Sequence, residues 1–254
     1  MSETVSKAEL KAGKKKNELL ETIVVIIEAL IIALLFRTFL YQPFSIPTAS
    51  MQQTLMIGDY FLANKWAWGF GKYSFPIALP FNGRLMGSEP QRGDVAVFRN
   101  EITNEDYIKR VIGLPGDRIQ MKDGRLYING TVVDRELVGT AKDTDSYMTT
   151  ATVNVYAETL PNGVTHLIQE ISDNETLDNT AEYVVPAGHY FMMGDNRDRS
   201  ADSRVLGQVG YVPWDNLIGK AELRFFSMKD NRPPWALWEW PANVRFDRMF
   251  QFVN

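Results

Sequence analysis

Arg118-Ile119-Gln120-Met121-Lys122-Asp123-Gly124-Arg125-Leu126-Tyr127-Ile128-Asn129-Gly130-Thr131-Val132-Val133 is the stretch that decides the fold class. Three short runs, Arg118 to Met121, Arg125 to Ile128 and Thr131 to Val133, are separated by Asp123-Gly124 and Asn129-Gly130. Those dipeptides accept the positive φ of tight hairpin turns, so the stretch predicts an antiparallel meander. Upstream, Asp94 to Arg99 and Tyr107 to Ile112 are further strand candidates, the first bounded by Gly93 and Asn100. Residues 134–182 turn polar, rich in Thr, Asp, Asn and Glu, and predict an inserted β subdomain. Strands resume at Tyr190 to Met193 and Ala221 to Phe226. The expectation is a mainly β chain whose core spans 42–133 and 183–254, interrupted by a smaller β insert at 134–182.

Ahead of this core runs an apolar segment, Thr22 to Leu40, close to the ~20 residues that cross a bilayer. Residues 22–41 are expected to form one transmembrane helix, with Tyr41 at the interface and Pro43 and Pro47 ending it. Each mid-membrane charge costs roughly 2.5–3.5 kcal/mol on insertion scales. Arg37 lies near the far end and can snorkel, whereas Glu28 projects from the opposite face and has no partner in this reading. Lys7, Lys11, Lys14, Lys15 and Lys16 precede the span, and Tyr41 to Leu55 carries no charge. The positive-inside rule therefore assigns residues 1–21 to the cytoplasm and the β core to the outer side. A cleaved signal peptide is the competing reading, but the apolar run is longer than a typical h-region and no Ala-x-Ala-like site follows closely. A buried helix of a soluble protein is disfavoured by the basic cluster before the run.

Composition narrows the chemistry. The 254 residues are 45% hydrophobic and 23% charged, enough for one large or two modest cored domains. With no cysteine, thiol nucleophiles, disulfides and cysteine-ligated zinc are excluded. The net charge is −4, and the first twenty residues hold five lysines against three glutamates, leaving −6 on the remainder, which argues against a nucleic-acid partner. Aromatics cluster at Trp66 to Phe70 with Phe75 to Phe81, and at Pro234 to Trp240. They are expected as core packing or as a surface resting on the lipid bilayer.

Three blocks carry unusual combinations: Ser50 in Ile46-Pro47-Thr48-Ala49-Ser50-Met51, Lys109 in an apolar strand, and Gly194-Asp195-Asn196-Arg197-Asp198-Arg199-Ser200-Ala201-Asp202-Ser203-Arg204. A serine needs a base, and the two histidines, His166 and His189, lie in segments with no other catalytic character. A lysine with its ordinary pKa near 10.4 is protonated at neutral pH, but burial among Ile108, Val111 and Ile112 lowers it. A calcium loop beginning at Asp198 fails on spacing, because the turn glycine would be Ser203 and the terminal acid Val209.

Together these blocks resemble the type I signal peptidases, the leader peptidases of bacterial membranes, from about Pro43 to Phe226. The resemblance implies that Ser50 is the nucleophile, Lys109 its general base, Ser200 the residue orienting the lysine, and Thr48 an oxyanion-hole donor. It implies further that Asp202 and Arg204 form a structural ion pair near the site. Phe44, Ile46 and Ile108 would then line shallow pockets for small side chains. Where the family commonly has serine and proline, this chain has Thr48 and Gln53. Threonine keeps the hydroxyl, and loss of the proline is expected to loosen the turn after Ser50.

The implied protein is a signal-peptidase-like membrane-bound serine endopeptidase of the bacterial inner membrane, using no metal or cofactor. It would remove signal peptides from exported preproteins after an Ala-x-Ala type site. The alternatives are a specialised relative that processes a single pilin or conjugation substrate, and an inactive membrane-tethered binding module.

Overall fold

The computed structural model describes residues 2–75, 80, 83–144, 150–229 and 235–253. Residues 76–79, 81 and 82 of the first aromatic cluster, Pro234 of the second and 145–149 of the polar stretch lie outside that description, as do the side chains of the lysine-rich start. Helix α1 covers Ser2–Phe39, and its Glu18–Phe39 part is long and apolar enough to cross a membrane, with a mean hydropathy of 2.7. The helix stops ahead of Pro43, because from Tyr41 the chain is already in strand β1, Tyr41–Ser45, paired with β2, Asp59–Asn64.

The junction between α1 and the sheet is built around one lysine. Lys65, 1% exposed, donates its backbone N–H to Leu40 O at 3.1 Å. Its ammonium points to Ser74 O and, at 3.5 Å, to Thr38 O. A cation at the carbonyl end of a helix is favoured by the helix dipole. Phe39 packs edge-on against Phe70 and Phe75, with centroids 5.9 and 6.3 Å away, so these two rings of the first aromatic cluster close this joint.

Strands β3 (Val95–Asn100), β4 (Glu105–Gly113), β5 (Arg118–Lys122), β6 (Arg125–Ile128) and β7 (Thr131–Val132) follow. The expected hairpins form: Asp123 and Gly124 have φ of 47° and 68°, Asn129 and Gly130 of 55° and 81°. Next come β8 (Asp134–Thr144), β9 (Thr150–Thr159) and β10 (Thr165–Glu170), then β11 (Tyr183–Val184), β12 (His189–Met193), β13 (Val212–Pro213), β14 (Leu217–Ser227) and β15 (Gln251–Phe252).

Among the described residues these strands make three sheets. The largest has the order β1-β2-β14-β3-β4-β12-β13, with β15 beside β14, and β1 stands at its edge. The meander β5-β6-β7 carries β11 on its outer side. Strands β8, β9 and β10 form a separate sheet out of the polar stretch. The fold is mainly β behind an apolar helix. Ile46, Met51, Leu55, Phe61, Val97 and Ile218 pack beneath the start of the large sheet, while Ile112, Ile119, Leu126 and Phe191 join it to the meander. At about 25 cal/mol per Å² of apolar surface, this burial is the main stabilising contribution.

Candidate active site

Ser50 sits in a 3-10 turn, Ala49–Met51, whose backbone is closed by Gln52 N donating to Ala49 O at 3.0 Å. Lys109 comes from β4, where it faces Ala96 of β3 across the ladder. Both are buried, at 7% and 4% exposure, and Lys109 Nζ lies 2.6 Å from Ser50 Oγ and 2.9 Å from Ile108 O. Burial lowers the Lys109 amine to about 8; Asp202 and Asp195 pull it upward and Arg204 pushes it down. A lysine so placed is neutral often enough to accept the serine proton.

The third block closes behind the pair. Asp202 and Arg204 form a bidentate ion pair at 2.9 Å with both side chains fully buried, and Gly194 N donates to Asp202 at 3.0 Å. Burial alone would raise Asp202, but Arg204 and the hydrogen bonds hold it below the usual carboxylate range. Ser200 packs so tightly on Gly194 that a Cβ there would meet its Oγ at 2.2 Å. Its buried hydroxyl helps keep Asp202 charged but, among the described residues, meets no partner in good hydrogen-bond geometry. Thr48, exposed and extended at φ −126° and ψ 156°, makes no side-chain capping bond.

A cleft of about 340 Å³ opens over Ser50 and Lys109, lined among others by Phe44, Pro47, Thr48 and Ile108. Ile46 lies in the core behind it at 1% exposure, so the structure brings Phe44 and Ile108 to the cleft and Ile46 to its supporting layer.

Several supporting residues escaped the sequence reading. Arg110, next to the lysine, grips Asp195 with two bonds of 2.8 Å, and Thr54 Oγ1 donates to the same carboxylate at 2.5 Å. Asn196 donates its backbone N–H to Ser50 O at 3.1 Å and its amide to Ala49 O at 3.2 Å. From β9, Glu158 clamps Arg197 with both oxygens, one bond measuring 2.9 Å. The Lys-Arg pair and the acidic block signalled the first two; nothing local in sequence signals Glu158.

The turn after Ser50 also differs from expectation. Gln53 has φ 87°, a left-handed conformation costing a non-glycine residue on the order of 1 kcal/mol. Proline, fixed near −65°, cannot adopt it. The turn is therefore not a loosened version of one with proline but a different turn.

The chain is similar to known proteins over most of its length. The family model described as signal peptidase, peptidase S26, matches residues 19–226. Signal peptidase I of Rickettsia typhi is 40% identical over 242 residues, covering 87% of this chain and 88% of the relative. That of Rickettsia akari is 40% identical over 245 residues with the same coverage. A crystal structure of signal peptidase I from Enterococcus faecalis is 28% identical, covers 52% of this chain and 97% of that one, and superposes with a TM-score of 0.32. On the family model and the curated relatives, the chain belongs to the signal peptidases of family S26 and is a serine peptidase.

Proposed function

We propose that this chain is anchored in the bacterial inner membrane by residues 22–41, with its amino terminus in the cytoplasm. Its β core on the outer side cleaves preproteins after small residues of the Ala-x-Ala type. The observation that carries this reading is the buried 2.6 Å contact between Lys109 Nζ and Ser50 Oγ at the floor of the cleft. Neutral Lys109 takes the Ser50 proton as Oγ attacks the scissile carbonyl. The oxyanion forms against the Ser50 N–H and the Thr48 hydroxyl, each donor worth about 3–4 kcal/mol. Protonated Lys109 then returns its proton to the leaving amine, and water releases the acyl-enzyme. Ser200, by its resemblance to the family's orienting serine, steadies the lysine, and the Asp202–Arg204 pair acts on it through charge.

An extended peptide can add to the free edge of β1, which would set alternate side chains toward Phe44 and Ile108. Such apolar walls favour small, uncharged side chains. The test is cleavage of a preprotein bearing an Ala-x-Ala site, in lipid, by the wild type, Ser50→Ala and Lys109→Met. Cutting after that site by the wild type alone is expected. An uncut preprotein overturns the substrate assignment, and residual cutting by either variant overturns the dyad.

A further inference from the structure

Gln53, three residues beyond Ser50, holds a left-handed φ of 87° that a free glutamine would relax. Its side chain is tied: Nε2 donates to Oε1 of Gln169 at 2.8 Å. Gln169 belongs to β10, in the separate sheet, and is fully buried. Its backbone N–H donates to Asp195 O at 2.9 Å, and its carbonyl accepts from Arg197 N at 3.0 Å. One residue of the insert thus grips the 194–204 block with its main chain and the nucleophile segment with its side chain.

The chemistry of Gln169 makes the tie purposeful. Its own Nε2 is buried with no hydrogen-bond partner among the described residues. A buried, unsatisfied donor is costly, so for packing alone an apolar side chain of the same shape would serve better. What glutamine supplies is the acceptor that meets Gln53.

We propose that Gln169 is a positioning residue for Ser50. By holding Gln53 in its left-handed turn, it keeps Ser50 Oγ registered on Lys109 Nζ, and so assigns the inserted sheet a part in catalysis. The inference rests on the reading of Ser50 as nucleophile and Lys109 as base. Displacement of a reacting group by about 1 Å can cost a hundredfold in rate, so a slack turn is felt in turnover rather than in binding.

The experiment measures kcat, KM and thermal melting for the wild type, Gln53→Ala, Gln169→Met and the double variant, using the Ala-x-Ala preprotein. Gln169→Met keeps the shape and removes the orphan donor. Each single variant is expected to lose roughly ten- to a hundredfold in kcat with KM within about twofold, while Gln169→Met melts no lower than wild type. The double variant is expected to be no slower than the worse single, since both remove one bond. Turnover within twofold of wild type for Gln53→Ala, or a double loss equal to the product of the single losses, overturns the proposal. Should Gln169→Met fail to fold, Gln53→Ala, altered in a half-buried loop residue, carries the test on its own. An uncut preprotein with the wild type overturns the parent reading instead.

Discussion

In the proposed mechanism Lys109 serves as a base while sitting where its charge is unwelcome. With its amine lowered to about 8, roughly a tenth of the molecules hold it neutral at pH 7. Cleavage should therefore rise with pH and level off above about 8, which a kcat/KM profile from pH 6 to 10 would test; a profile flat through 8 removes Lys109 as the titrating base. The same shift bears on stability. Below about 8 the amine is charged in both folded and unfolded chains, so the folded state carries the full burial penalty; between 8 and 10.5 the folded chain alone sheds the proton and stability rises. Lys109→Met, though inactive, should thus melt higher than wild type at pH 7, by at most about 3 kcal/mol, with the gap closing toward pH 10.5. Ser200→Ala removes a hydroxyl without a well-formed partner among the described residues, so melting should hold while turnover falls and its pH profile moves. An unmoved profile would leave Ser200 outside the mechanism.

At the level of elements, the hairpins were legible because Asp123-Gly124 and Asn129-Gly130 carry their turn geometry in their own residue types. The proposed nucleophile and base lie in motifs that the fold brings together. The clamp from β9 was not, since Glu158 and Arg197 are 39 positions apart and meet only once both sheets are folded. Burial alone would raise Glu158, yet the charge and hydrogen bonds of Arg197 hold it below the usual carboxylate range. Its contribution is present above about 4.5 and is lost on acidification through its lower folded value. Glu158→Gln leaves Arg197 buried with a broken pair, a loss of about 3–5 kcal/mol, or roughly ten degrees of melting temperature. A melt within two degrees of wild type would show that the clamp contributes little. The boundary at Phe39 was equally hidden, because pairing of Tyr41 with Asn64, not a proline, draws the chain out of the helix.

For the molecule as a whole, the joint at Lys65 fixes the sheet against the end of the apolar helix. If that helix lies in the bilayer, enzyme and preprotein share two dimensions, and cleavage of a preprotein in vesicles should exceed that of a short soluble peptide by roughly 10²–10⁴ in kcat/KM. Equal rates on both would sink the anchoring argument. The cleft also has a history in time. Ser50 is 59 positions ahead of Lys109, and the Asn196 that holds the backbone beside it comes 147 positions after Ala49. During synthesis the proposed nucleophile therefore emerges long before its partners, and a chain still lacking the 194–204 block has neither the tie on Ser50 nor the ion pair behind Lys109. On the proposed mechanism a chain without residues 194–204 is inert, so cutting power arrives late in synthesis.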